Sequence, residues 1–138
     1  MVLVDSSVWI EAAHREGDLA CKVALEALLE EYEATLSSPV RLEVLGGARV
    51  KDRKRLDGYF AVLPYHPIEE QDWRASEKNS RALRAVGLTI PWNDILVASL
   101  ALRLGCRVYA RDRHFEEMEP VLGLDLYLPG PGGQFSGR

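Results

Sequence analysis

Val2-Leu3-Val4-Asp5-Ser6-Ser7-Val8-Trp9 runs three apolar residues, two of them β-branched, straight into an acid and two hydroxyls. A short continuous apolar run bounded by a polar turn is the pattern of a buried strand, most at home in a parallel sheet. Asp5 then stands at the strand's C-terminal end, the edge where open α/β sheets bind ligands. Which other acids reach that edge depends on where the remaining strands fall.

Outward from this strand, Ser6 or Ser7 is placed to cap a short helix from Val8 to about Ala13. Leu19, Val23, Ala24, Ala27 and Leu28 follow helical spacing and predict a helix from Asp18 to Glu33. Ala34-Thr35-Leu36 reads as a second strand. Ser37-Ser38-Pro39 then gives a cap and a proline at the first helical position, opening a helix over Val40 to Leu45 with Glu43 on its second turn. Lys51 to Leu63 is a further helix and Val62 to Tyr65 a third strand. A helix from about Glu69 to Val86 ends at Gly87, a natural C-cap. Pro91-Trp92-Asn93-Asp94 opens the next helix, which Gly105 ends. Arg107 to Ala110 is a strand, Phe115 to Val121 a short helix and Leu124 to Leu128 a last strand. Alternating strands and helices imply a mainly parallel sheet between helix layers, an α/β/α sandwich. Pro129 to Arg138 holds proline, glycine and serine with almost nothing to bury, so residues 129–138 are expected to form a flexible tail on a domain of residues 1–128.

The 138 residues suffice for one domain with a proper core. At 47% hydrophobic and 28% charged the composition is that of a soluble globular protein. A formal net charge of -4 excludes a generally basic nucleic-acid binder, but not a nucleic-acid enzyme whose metal supplies the positive charge. Cys21 and Cys106 lack CxxC spacing and are expected to be buried reduced thiols. No basic n-region precedes Asp5, and no apolar run approaches a membrane span, so a cytoplasmic location without membrane contact is expected.

Four acids sit at element ends or first turns: Asp5 after the first strand, Glu43 after the second, Asp94 at a helix start and Asp112 after a later strand. One edge of a parallel sheet collects such positions. Taken singly, each has an ordinary alternative: Asp5 as a helix cap, Glu43 as a solvated helix residue, Asp94 as a partner of its helix dipole, Asp112 as a turn residue. Converging carboxylates repel, and at least one holds its proton unless a cation is present. Oxygen ligands of this kind suit Mg²⁺ or Mn²⁺, which activate water for attack on phosphorus.

Val-Asp-Ser-Ser-Val-Trp-Ile around Asp5, Pro-Val-Arg-Leu-Glu-Val around Glu43, Asn-Asp-Ile-Leu-Val-Ala around Asp94 and Ala-Arg-Asp-Arg-His-Phe around Asp112 resemble the four motifs of PIN-domain ribonucleases. Their order and spacing are most similar to the VapC-type toxins of toxin–antitoxin pairs, across residues 1 to 128. The resemblance implies a PIN-like fold and a Mg²⁺-dependent (or Mn²⁺-dependent) endoribonuclease with an RNA substrate, a cognate antitoxin and a homodimer. Asp5, Glu43, Asp94 and Asp112 are the implied metal ligands, directly or through water, and Ser6 the hydroxyl that supports a carboxylate or water. The family often carries Thr or Ser two residues before the last acid. Ala110 stands there in this chain, which lacks that hydroxyl without losing a charge.

Arg111, Arg113 and His114 flank the last acid, as RNA phosphate contacts or as partners of nearby acids. Lys51, Arg53, Lys54 and Arg55 form a basic cluster diluted by Asp52 and Asp57, read either as an RNA or partner contact or as a solvated helix face. Trp92, two residues before Asp94, is the aromatic placed to meet substrate, whereas Trp9 belongs to the core. Two other readings carry distinct expectations. A receiver-type signalling module needs a paired acid beside Asp5 and a lysine after a late strand; Ser6 and Arg111 stand there instead. A PIN-like domain that only binds RNA or protein has Ala110 in its favour and the four acids against it.

Overall fold

The computed structural model describes residues 1–137. Its first strand, β1, is Val2–Val4, fully buried as the apolar run requires. Helices α1 (Ser6–Ala13) and α2 (Leu19–Glu30) lead to β2 (Ala34–Ser37). Helices α3 (Ser38–Gly47) and α4 (Val50–Val62) lead to β3 (Tyr65–His66). Helices α5 (Glu70–Ala85) and α6 (Trp92–Leu104) precede β4 (Arg107–Tyr109), and α7 (Arg113–Leu122) follows it.

The four strands form one sheet in the order β3-β2-β1-β4, parallel throughout. Val2 pairs with Ala34 and with Arg107, and Leu3 with Thr35 and Val108, so β1 is central and covered on both sides. The chain steps from β1 to β2 to β3 in one direction, then returns to place β4 on the other side of β1. Right-handed crossovers therefore put α1 to α4 on one face and α5 with α6 on the other, the expected three layers. Helix contacts agree: α1 packs on α2 and α3, and α5 on α6 and α7. The reversal between β1 and β4 opens a crevice at their C-terminal ends, the topological switch point at which such sheets bind ligands.

One internal brace ties the second helix layer together. Asp72, 1% exposed, accepts from Arg103 Nε at 2.6 Å and from Arg103 Nη2 at 2.9 Å, joining α5 to α6. Its Oδ2 also accepts from Glu69 N at 2.8 Å, capping α5. Burial alone would raise this carboxyl, but the Arg103 guanidinium outweighs it and holds Asp72 below the usual carboxylate range.

Several boundaries differ from expectation. Helix α4 keeps Val62, and the third strand begins only after Pro64, whose ring nitrogen has no hydrogen to give the ladder. The last strand shrinks to a single parallel bridge, Val108 with Leu126. Helix α1 is capped by Asp5, whose side chain accepts from Ser7 N, rather than by Ser6 or Ser7. Of the tail expected to be flexible, residues 131–136 pack on the domain, and Arg138 lies outside the described residues. A 3₁₀ turn over Pro131–Gly133 lies against α2, with Gly133 buried at φ +96°. A Cβ at Gly133 would lie 2.4 Å from the Ala20 carbonyl oxygen, so glycine lets two backbones meet there. Phe135 stacks on Tyr127 at 6.4 Å between ring centroids, Ser136 N donates to the Tyr127 hydroxyl, and Arg107 donates to the Ser136 carbonyl. Backbone packing of this kind is invisible in a count of apolar side chains. Cys21 and Cys106 are buried free thiols, as expected. Among the described residues, no helix is long and apolar enough to cross a membrane.

Candidate active site

Asp5, at the end of β1, is 2% exposed. Its backbone N–H bonds the Tyr109 carbonyl of β4 at 2.8 Å, which sets it at the switch point. Oδ2 accepts from Ser7 N at 3.1 Å and from Ser7 Oγ at 2.7 Å. The same Ser7 hydroxyl accepts from Arg111 N at 2.9 Å, so one oxygen stitches the ends of β1 and β4 together. Asp5 Oδ1 is buried with no hydrogen-bond partner. Burial raises the Asp5 carboxyl above its ordinary value and the neighbouring Glu43 charge adds to this, against the lowering effect of the Ser7 hydrogen bonds.

Asp94 stands in the first turn of α6, where the helix N-terminus favours negative charge. Asp112 caps α7, its Oδ1 accepting from His114 N at 2.9 Å. His114 Nδ1 lies 2.9 Å from Asp94 Oδ2 and 3.0 Å from Asp112 Oδ1, between the two carboxylates. One potential ligand atom from each of these three residues falls within 4.8 Å of the others. Burial pushes Asp94 up to about 6; the Asp5 and Asp112 charges add to this, and His114 opposes it. His114 itself is raised: partial burial works against its charge, but the two carboxylates more than compensate.

Glu43, on α3, is held from both sides. Ser6 Oγ donates to its Oε2 at 3.1 Å and Asn93 Nδ2 to its Oε1 at 3.0 Å. Asp5 and Glu43 thus lie outside the tight Asp94–Asp112–His114 group, each positioned by its own donors, yet near enough for their charges to act on one another.

The flanking cations take different places. Arg111 turns from the acids to pair with Asp18 at 2.7 Å. Arg113 is largely exposed, 3.7 Å from Glu117. Trp92 is 68% exposed and stacks on Trp73 of α5 at 6.3 Å, an aromatic pair at the N-terminal end of the helix that carries Asp94. His114 takes the alternative its position offered, a partner of nearby acids, whereas the positioning roles of Ser7 and Asn93 have no counterpart in the sequence expectations. Each stands one or two residues from a predicted acid, and that proximity was the available signal. Ala110 leaves no gap in the anchoring of Asp112, because His114 supplies both a backbone and a ring contact to it.

A cation fits this donor set. The side chains are hard oxygen donors, Asp5 presents a buried oxygen with nothing bonded to it, and burial together with like charge keeps Asp94 from ionising freely. The PIN domain family model matches residues 2–119. The chain belongs to the PIN-domain family. This PIN domain is 33% identical over 129 residues to the VapC ribonuclease Mb1587 of Mycobacterium bovis, covering 90% of this chain and 96% of that one. It is 26% identical to the ribonuclease VapC19 of Mycobacterium tuberculosis, covering 83% of this chain and 92% of the relative. Among solved structures, VapBC2 of Rickettsia felis bound to a promoter DNA fragment matches with a TM-score of 0.75 at 20% identity, covering 92% of this PIN domain and 98% of that chain. FitAcB of Neisseria gonorrhoeae matches with a TM-score of 0.73 at 20% identity, covering 93% and 97%. Both confirm the fold expected from the strand and helix pattern.

Proposed function

We propose that this PIN domain is a divalent-metal-dependent endoribonuclease, the toxin of a toxin–antitoxin pair, that hydrolyses RNA phosphodiester bonds to leave 5′-phosphate and 3′-hydroxyl ends. The observation that carries the reading is the imbalance of charge at the switch point. Asp94 and Asp112 lie together with His114 as the one basic side chain in that group, and the charges of Asp5 and Glu43 act beside them. The ribonuclease names of the VapC relatives support the same class of reaction.

Asp5, Asp94 and Asp112 hold the metal, Mg²⁺ or Mn²⁺, directly or through water. Glu43 joins them in the orientation that Ser6 and Asn93 impose. A bound divalent cation supplies the positive charge that keeps these acids ionised together and lowers the cost of charge developing on phosphate and water. The protein's own contribution is to exclude bulk water from Asp5, to fix each carboxylate with a named donor, and to offer substrate contacts. Arg113 is the exposed cation for an RNA phosphate, Arg111 acts only where it exchanges Asp18 for that phosphate, and Trp92 presents a stacking face.

A structurally similar chain belongs to a toxin–antitoxin complex of Klebsiella pneumoniae, which supports an antitoxin partner for this chain. A groove between α1, α2 and α4, lined by apolar residues such as Trp9, Leu29 and Tyr59 together with the charged Lys22, Glu26 and Arg55, is the surface we assign to it. We take the working unit to be a homodimer in the cytoplasm. The test is cleavage of a mixed RNA pool with Mg²⁺ or with EDTA, beside Asp94→Asn. Cleavage lost on chelation and in the variant supports the assignment. Cleavage that survives both overturns it.

A further inference from the structure

Among the described residues, three of the four buried side-chain atoms without a hydrogen-bond partner lie in one rung of the sheet: Asp5 Oδ1, Ser37 Oγ and His66 Nε2. Leu3 pairs with Thr35, and two residues further along the same parallel register Asp5 stands beside Ser37. Ser37 in turn pairs with His66. Residues in register on adjacent strands present their side chains on the same face, so the three form a row leading from β3 across β2 to the candidate site on β1. On the other side of Asp5, continuing the pairing of Val4 with Tyr109, stands Ala110, which has no hydroxyl to offer.

Ser37 is fully buried and makes no side-chain cap for α3, although it occupies the N-cap position. A buried hydroxyl that neither caps its helix nor bonds another group is costly unless something completes it. The donor and acceptor capacities of the row run in one direction. In its Nε2-protonated tautomer His66 donates, the Ser37 hydroxyl accepts and donates, and the Asp5 carboxylate only accepts. A carboxylate oxygen has room for a hydrogen bond as well as a cation, and carboxylates that ligate metals are ordinarily held in this way.

We propose that Ser37 is a positioning residue of the metal site: its hydroxyl, backed by His66, holds Asp5 Oδ1 through buried water in the orientation that receives a divalent cation. This rests on the metal reading above and adds to it Ser37 from the neighbouring strand β2 and His66 from the edge strand β3. Neither contacts substrate. Their effect passes through Asp5.

The test uses the full chain and Mn²⁺ alone, with affinity measured by calorimetry and melting temperature followed in parallel. Ser37→Ala is expected to bind Mn²⁺ about 10-fold or more weakly, within the range for loss of a ligand's supporting partner. Ser37→Thr, which keeps the hydroxyl, should restore most of the affinity. His66→Leu should weaken binding in the same direction, and Ser37→Ala with His66→Leu should be no weaker than Ser37→Ala alone, because both act through one row. Unchanged Mn²⁺ affinity in Ser37→Ala, even with a lowered melting temperature, overturns the proposal while leaving the metal site standing. Failure of the unmodified chain to bind Mn²⁺ overturns the metal reading and this inference with it.

Discussion

At Asp94 the competition between burial and charge has a measurable consequence. Its carboxyl, pushed up to about 6, binds a proton more tightly folded than unfolded. Folding therefore takes up a proton between roughly pH 4 and 6 in the metal-free protein, and stability falls as pH rises through that window. His114 acts in the same sense at higher pH. Its raised pKa gives a contribution fully present below about 6.5 and lost as pH rises through the folded value. Asp94→Asn should thus stabilise the metal-free protein at pH 8 by about 1–3 kcal/mol and lose that advantage by about pH 4. Thermal melts in EDTA across pH check this, and an advantage independent of pH would show that repulsion is not its cause. Magnesium should reverse the order at pH 8, raising the melting temperature of the unmodified chain more than that of the variant. Ala110→Thr is expected to keep or raise nuclease activity, read as the initial rate at limiting Mg²⁺. A clear loss would show that Ala110 is fitted to the Ser7–Arg111 stitch beside it.

Helix α6 carries Trp92, Asn93 and Asp94 at one end and Arg103 at the other. The Arg103–Asp72 brace therefore fixes the helix that delivers part of the site, at a distance from the chemistry. Arg103→Met would leave the Asp72 carboxylate buried and unpaired, and urea unfolding should show a loss of about 3 kcal/mol. Because Asp72 is held below its ordinary range, the stability it contributes is present at neutral pH and lost as pH falls below about 4. Replacing both partners, Arg103→Met with Asp72→Leu, should recover much of the loss, since no buried charge then remains.

Across the whole molecule, the chain's last residues close over α2 and the edge of the sheet beside β4. Gly133 touches the α2 backbone, and Phe135 covers Tyr127. Truncation after Leu128 is expected to lower the melting temperature, and Gly133→Ala alone should cost about 1–3 kcal/mol through overpacking and a disfavoured positive φ. An unchanged melting temperature in both would show that the segment adds no stability. The truncated protein should retain its acidic cluster, because none of Asp5, Glu43, Asp94 or Asp112 depends on these residues for a hydrogen bond.

Local rules acting over a few residues made much of this legible in the sequence. The apolar run before Asp5 specified a buried strand, Ser37-Ser38-Pro39 a helix start, and Gly105 a helix end with φ +64°. Strand–helix alternation specified the layers, and the rule that strand ends share an edge brought four distant acids to one crevice. What only the tertiary structure decided is how each acid is held. Hydrogen bonds between residues far apart in the chain have no sequence period, so Asn93 on Glu43, and Ser7 between Asp5 and Arg111, could not be read in advance, and Ser6, expected to support a carboxylate, could not be matched to Glu43. Which two carboxylates His114 would join was likewise settled only by the structure, as was a tail held largely by close backbone packing. The row from His66 to Asp5 exists only through strand register, which three short strands acquire from packing and not from their own composition.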